Sequence, residues 1–221
     1  MSARRNLLVV LSLLVLLHVY IGLRLMPDLG LGLPGMLAGS ILLLLSTLLV
    51  PVGLLSSSLR RRRWSEQLTW VGLLAMGLFS SLLVLTFLRD LFLLAAVLAG
   101  FGSVMLNYYS ALGVPLLALA VTIVGFVNAR RVARVVRVDV PIDGLPEALH
   151  GYAIAQISDI HVGPTIKRPY LDAIVERVNG LGADAIAVTG DLVDGSVARL
   201  SAHTQPLARL AAPDGAFFVT G

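Results

Sequence analysis

The spacing of apolar and polar positions changes character near residue 137 of the chain. Before that point, long apolar runs are separated by short clusters of arginine; after it, short apolar runs alternate with stretches of helical periodicity. A helix needs about 20 apolar residues to cross a hydrocarbon core about 30 Å thick. We therefore predict a transmembrane domain over 1–137, followed by a different domain over 138–221. Four apolar runs approach the required length and are predicted to span the membrane, at 7–23, 36–55, 68–88 and 111–127.

A shorter apolar run at 91–106 leaves the number of spans open. It fits a fifth span, a half-span or an extension of the third helix beyond the interface. The placement of arginine favours four spans. With the N-terminus inside, ten arginines lie on the cytoplasmic side and only Arg24 and Arg89 lie outside, whereas five spans would divide them six and six. We therefore predict a multi-pass protein of the cell membrane whose C-terminal domain is cytoplasmic.

Composition and charge agree with this division of the chain. Apolar residues make up 57% and charged residues 14%, whereas soluble proteins have about 45–50% and about 25%. The net charge of +4 combines +9 for residues 1–138 with −5 for residues 139–221. The basicity thus belongs to the membrane part and gives no indication of nucleic acid binding, so no nucleic acid partner is predicted. The absence of cysteine excludes thiolate metal sites and a cysteine nucleophile.

The second part of the chain has the pattern of an α/β domain. Three short apolar runs predict strands at 152–157, 185–188 and 216–219, separated by helical patterns at 169–181 and 197–210. Crossovers of this length predict parallel strands. The alternation of apolar and polar residues over 138–142 predicts an additional edge strand. Because ligands bind at the carboxyl ends of strands in such sheets, the residues after each strand are the place to look for chemistry.

Candidate metal ligands follow the first two predicted strands. Asp159 and His161 follow the first strand, and Asp191 follows the second after a glycine. Residues two apart in an extended segment point to the same side, so Asp159 and His161 can face one ion. Two carboxylates and an imidazole suit Mn, Fe, Zn or Mg, and a carboxylate can bridge two cations about 3.5–4 Å apart. We predict a metal site at these three residues, with Asp194 ordering the adjacent loop instead of binding metal.

The two motifs resemble those of the calcineurin-like metallophosphoesterase superfamily. They read QISDIHVG at 156–163 and VTGDLVD at 188–194, and they are similar in particular to those of membrane-attached bacterial metallophosphoesterases with an N-terminal helical bundle. The resemblance implies an αββα sandwich holding two divalent metal ions, with Mn, Fe or Zn favoured. It implies that Asp159 and His161 bind the first ion and that Asp191 bridges both.

The resemblance also implies that the site is incomplete within these 221 residues. The next family motif, G-N-H-[DE], would begin at Gly221. The catalytic histidine and the remaining metal ligands are therefore expected after Gly221, and no catalytic residue is assigned within the chain. We accordingly expect a four-helix transmembrane bundle followed by an incomplete α/β domain, which by itself is inactive.

The function implied by the resemblance is hydrolysis of a phosphomonoester or phosphodiester by water that two metal ions activate. Its partners would be the lipid bilayer and a phosphorylated substrate that is lipid-linked or close to the membrane, since the domain is anchored there. The alternative is a non-catalytic membrane scaffold or sensor with a degenerate phosphoesterase fold. The intact D-x-H and G-D motifs favour the enzyme.

Overall fold

The computed structural model describes residues 2–56 and 62–219, and the chain divides into two compact units, Met1–Arg130 and Arg131–Gly221. All four helices of the first unit are long and apolar enough to cross a membrane. The expected four-helix membrane bundle is thus confirmed. The helices are α1 (Ser2–Leu25), α2 (Gly32–Ser56), α3 (Arg62–Leu98) and α4 (Val104–Ala129).

The apolar run at 91–106 is divided between two helices. Helix α3 continues through it as far as Leu98, and α4 begins at Val104. The turn between them uses Gly100 at φ +80°, a conformation that glycine adopts without steric cost. The Ser103 side chain then accepts a hydrogen bond from the Leu106 amide and so caps α4. Of the three alternatives, the extension of the third helix therefore describes these residues.

The interior of the bundle contains one histidine. His18 is 3% exposed. One ring nitrogen lies 2.8 Å from the Leu14 carbonyl oxygen and the other lies 3.0 Å from Ser46 Oγ. The ring also stacks on Phe79 with centroids 4.1 Å apart. The polar atoms of His18 are thus satisfied within the bundle, as expected for a structural histidine.

Helices α2 and α3 approach most closely at a pair of glycines. A Cβ atom built on Gly53 would collide with the Gly72 backbone, and one built on Gly72 would lie 2.8 Å from the Leu49 carbonyl oxygen. Small residues at such crossings allow helix backbones to pack closely in a membrane, where van der Waals contact contributes much of the association energy. The glycine pair therefore fixes the distance between these two helices.

We expect Gly53→Ala to destabilise the bundle by about 2 kcal/mol, because the added methyl group overpacks the α2–α3 crossing. The matched control is Gly113→Ala in α4, where a Cβ atom meets nothing within 4 Å. That substitution should be neutral or stabilising because alanine favours the helix. Unfolding of the protein in mixed micelles measures both variants. Equal stability of the two variants would show that the close crossing is not required.

The second unit contains a three-stranded parallel sheet whose strands lie side by side in the order in which they occur along the chain. This arrangement confirms the predicted succession of strands and helices. The predicted helix at 197–210 ends early and continues as a 3-10 turn at Gln205–Arg209, which contains Pro206. A further 3-10 turn occupies Glu147–Leu149. The regular elements are β1 (Ile154–Ile157), α5 (Arg168–Asn179), β2 (Ala185–Thr189), α6 (Val197–Thr204) and β3 (Ala216–Val219).

The core of this unit lies between the sheet and α5. Leu171 and Ile174, one helical turn apart on α5, face the sheet because the apolar positions of this helix recur at three and four residues. They pack against alternate residues of the strands. The residues of the core from β1 and β2 are Ala155, Ile157, Ile186 and Val188. This packing fixes the carboxyl ends of β1 and β2 side by side.

The predicted edge strand at 138–142 is wrong. Residues 132–142 have no regular secondary structure, and the side chains of Val138 and Val140 are 74% and 71% exposed. A strand needs a neighbour for its amide and carbonyl groups, and the described residues offer this segment none. Alternation of residue types indicates an extended conformation, but it does not supply a partner.

Candidate metal centre

The predicted ligands lie in two loops at the same edge of the sheet. Loop 158–163 follows β1 and loop 190–194 follows β2. The strands are parallel and in register, with Ile157 paired to Val188. The two loops therefore leave adjacent strands at their carboxyl ends, the edge at which parallel sheets bind ligands.

Main-chain hydrogen bonds continue the pairing of the strands into these loops. The Asp159 amide donates to the Gly190 carbonyl oxygen at 3.3 Å, and the His161 amide donates to that of Asp191 at 3.0 Å. Val162 then forms an isolated parallel bridge with Val193, and its fully buried side chain belongs to the core. The backbone thus holds the candidate ligands in place independently of their side chains.

The structure brings Asp159, His161 and Asp191 together. Each residue offers one donor atom, and the three atoms lie within 4.8 Å of one another. The side chains are exposed, so an ion can reach them from solvent. Two carboxylates and an imidazole form a donor set suited to Mn, Fe, Zn or Mg. The cluster therefore fits a divalent cation by chemistry and by spacing.

The backbone at all three residues is left-handed. The φ angles are 56° at Asp159, 53° at His161 and 42° at Asp191, and no other non-glycine residue in the described part of the chain has a positive φ. Such conformations are unfavourable for residues with a Cβ atom and are concentrated at functional sites. Asp159 and His161 do lie together as expected. The reason given for it, an extended segment, is wrong, because both residues have left-handed backbone.

Asp194 has a role that the sequence did not reveal. Each of its carboxylate oxygens lies 3.1 Å from His161 Nδ1. A carboxylate on one ring nitrogen of a histidine fixes the ring orientation and leaves the other nitrogen, here Nε2, available to a metal ion. Asp194 is therefore placed to orient a candidate ligand. The spacing of three residues from Asp191 gives no sign of this contact, which depends on how the two loops pair.

The same contact affects the titration of His161. The hydrogen bond with Asp194, and next the negative charge of that residue, raise the pKa of His161 above its ordinary value. Asp191 and Asp159 act in the same direction. An acidic neighbourhood favours the imidazolium form, and an ion that binds here must displace its proton.

We expect Asp194→Asn to lower the pKa of His161 in the metal-free protein, because an amide cannot stabilise the imidazolium charge as a carboxylate does. Proton NMR titration of the protein in micelles measures the effect, with the signal assigned by its loss in His161→Gln. Asp143→Asn is the control, since Asp143 is an exposed carboxylate in the same unit. An unchanged His161 pKa in Asp194→Asn would contradict the contact.

Comparison with known families agrees with the geometry of this edge. Residues 152–221 match the family model of the calcineurin-like phosphoesterases. The matched region contains β1, β2, β3 and all three candidate ligands. The second unit therefore carries a calcineurin-like metallophosphoesterase region, as its two motifs predicted. No solved structure matches the chain.

Named relatives combine this domain with a membrane part. The chain is 42% identical over 109 residues to a "Transmembrane protein with metallophosphoesterase domain" of Danio rerio, and 39% identical over 111 residues to the protein of that name from Bos taurus. Each alignment covers 48% of this chain and 25% of the relative. An "Uncharacterized metallophosphoesterase" of Helicobacter pylori is 37% identical over 68 residues, covering 31% of this chain and 18% of that protein. Together with the four apolar helices, these similarities support a membrane location.

Proposed function

We propose that this protein is a membrane-anchored phosphoesterase that hydrolyses phosphomonoesters or phosphodiesters with the help of two divalent metal ions. The observation that carries the proposal is the convergence of Asp159, His161 and Asp191 on left-handed backbone at the carboxyl edge of the sheet. Left-handed backbone at three non-glycine residues is costly, and metal binding gives a reason for that cost. A scaffold with a degenerate fold has no need of this arrangement.

Each residue has a distinct part in this proposal. Asp159 and His161 would hold one ion, and Asp191, with two carboxylate oxygens, would contact both. Asp194, through its contact with Nδ1, would hold the His161 ring in an orientation that leaves Nε2 available to the ion. Bound divalent cations polarise phosphoryl oxygens and lower the pKa of a coordinated water. Mn, Fe and Zn all accept this set of oxygen and nitrogen donors.

The substrate class follows from location. An enzyme whose chain passes directly from a membrane-spanning helix into the phosphoesterase unit works next to lipid headgroups, which favours a lipid-linked or membrane-proximal phosphate ester. The chain spans about a quarter of the length of the vertebrate relatives it matches. The activity proposed here is that of the whole protein, and the candidate metal ligands lie in this chain.

Hydrolysis of p-nitrophenyl phosphate and bis(p-nitrophenyl) phosphate by the full-length gene product in detergent tests the function. We expect activity that is lost after chelation and restored by Mn²⁺ or Zn²⁺, and that is absent in Asp191→Asn. Asp143→Asn should retain full activity. Metal-stimulated activity of Asp191→Asn equal to that of the unsubstituted protein would overturn the assignment of the site. The lack of hydrolysis of either ester under all metal conditions would favour the scaffold.

We propose that the second unit faces the cytoplasm, and cysteine labelling tests this orientation. Because the chain has no cysteine, a single introduced thiol reports one position. Ser201→Cys on the exposed surface of α6 should react with a membrane-impermeant maleimide only after the cells are permeabilised. Leu31→Cys, at an exposed position between α1 and α2, should react in intact cells. The reverse pattern of labelling would place the second unit outside the cell and contradict the proposed orientation.

A further inference from the structure

A run of arginines follows directly after the last membrane helix. Helix α4 ends at Ala129, and the guanidinium group of Arg130 lies over the rings of Trp70 and Phe126, at 5.1 and 6.0 Å. Tryptophan is enriched at the membrane–water interface, so this contact indicates the level at which the chain leaves the bilayer. The residues that come next begin at the headgroups.

The length of the chain limits how far the following arginines can be from that level. A residue extends the chain by at most about 3.6 Å. Arg131 therefore lies within about 7 Å of the end of α4, and Arg134 lies within about 18 Å. Electrostatic attraction to a charged leaflet is effective over a Debye length of about 8–10 Å. Even a fully extended chain therefore keeps Arg131 within that range and Arg134 within about twice that distance.

Arg131, Arg134 and Arg137 form what we call the basic segment. All three side chains are exposed, and none of them contacts an acidic group among the described residues. The sequence contains no aspartate or glutamate between Asp90 and Asp139. Three guanidinium groups that form no ion pair among the described residues either bind an anionic partner from outside the protein or remain in water.

The backbone of the basic segment is attached to the second unit. Val132 packs against the hydrophobic core of that unit. The Ala133 carbonyl oxygen accepts a hydrogen bond from the Arg177 guanidinium group at 3.5 Å. The arginine side chains are thus displayed from an anchored stretch of backbone, and whatever binds them also restrains the phosphoesterase unit.

We propose that the basic segment binds the anionic phospholipid headgroups of the leaflet at which α4 ends. The membrane is favoured over nucleic acid or an acidic protein because the segment is covalently held beside it. A basic residue near an anionic leaflet favours the bound state by about fivefold. The proposal rests on the membrane location of the chain and is independent of the phosphoesterase activity.

Environment-sensitive fluorescence in nanodiscs tests the proposal on the full chain. Val136, between Arg134 and Arg137, is 80% exposed, and Val136→Cys creates a single labelling position in a chain without cysteine. We expect the emission to shift to the blue, and quenching by uncharged acrylamide to fall, when phosphatidylglycerol is added to phosphatidylcholine discs. High salt should reverse both changes. Val197→Cys, at an equally exposed valine on α6 (83%), should show neither change.

Charge variants identify the groups responsible. In the Val136→Cys background, R131Q/R134Q/R137Q should abolish the response to phosphatidylglycerol, and R131K/R134K/R137K should retain it. A response that survives the glutamine variant, or that is equal at Val197→Cys, would overturn the proposal. It would also be overturned if RNA or an acidic peptide produced the change in phosphatidylcholine discs while phosphatidylglycerol did not.

Discussion

Asp191→Gly should abolish metal binding without destabilising the phosphoesterase unit. Metal affinity falls tenfold to a hundredfold when a residue that merely supports a ligand is removed, so loss of a ligand itself should cost more than about a hundredfold. Isothermal titration of the metal-free chain with Mn²⁺ or Zn²⁺ measures this loss. The substitution removes one of only three convergent donors within the described residues.

The free energy of unfolding of the second unit is expected to be unchanged in Asp191→Gly, because two effects of the glycine oppose each other. Asp191 has a φ of 42°, and relief of left-handed strain returns about 1 kcal/mol. Glycine also gives the unfolded chain more conformational freedom, which costs about 0.5–1 kcal/mol. Amide hydrogen exchange of Ile186 and Val188, in the buried strand that leads to this loop, measures the outcome.

The combination of lost affinity and retained protection separates a ligand from a residue needed for folding. Asp143→Gly, at an exposed carboxylate of the same unit, is the control and should leave metal affinity unchanged. Undiminished affinity in Asp191→Gly would remove Asp191 from the site. Loss of exchange protection together with affinity would mean that the residue supports the fold.

Much of the second unit could be predicted from the sequence because its periodicity reflects burial. Strands at 185–188 and 216–219 were predicted to within one residue of their observed ends. Their apolar residues and the flanking glycines are local signals. The same reasoning failed at 138–142, where the pattern is equally clear but no paired strand exists among the described residues. Strand formation depends on a partner strand that can lie far away in sequence, and the alternation of residue types gives no information about that partner.

The candidate ligands could be predicted, whereas the way they are held could not. The sequence places Asp159 and Asp191 after successive strands, and parallel topology then brings them to one edge. The hydrogen bonds between the two loops depend on the register of β1 and β2, with Ile157 opposite Val188. Register is a long-range property, so neither the left-handed backbone nor the contact of Asp194 with His161 was visible in the motifs.

Arg89 and Asp90 of α3 contact each other and also bind partners elsewhere in the membrane unit. The Arg89 guanidinium group lies 3.9 Å from an Asp90 carboxylate oxygen, so these sequence neighbours form an ion pair. Arg89 is paired with Asp28, while Asp90 accepts from Arg24 Nε at 2.8 Å and from the Tyr20 hydroxyl at 2.7 Å. Both charges thus connect α3 to α1 or to the turn that follows it.

Arg89→Ala should therefore destabilise the bundle by about 3 kcal/mol, as expected when one partner of a buried ion pair is removed. The Arg89 side chain is 2% exposed. Its guanidinium group donates to Asp28, to the Arg24 and Asn107 carbonyl oxygens at 3.0 Å, and to Ser110 Oγ at 2.9 Å. Alanine would leave these acceptors at the ends of α1 and α4 without their donor.

Unfolding in mixed micelles measures the loss against two comparison variants. Arg24→Ala removes a side chain that is 48% exposed and contacts one carboxylate, so it should cost less than about 1 kcal/mol. Arg89→Lys keeps the charge, but lysine lacks the planar guanidinium group that reaches four acceptors. The stability lost in Arg89→Lys should therefore lie between the losses in Arg24→Ala and Arg89→Ala. If Arg24→Ala and Arg89→Ala lowered stability equally, burial of the Arg89 network would not be the source of its contribution. A large loss confined to Arg89 would show that one guanidinium group holds three helices at this end of the bundle.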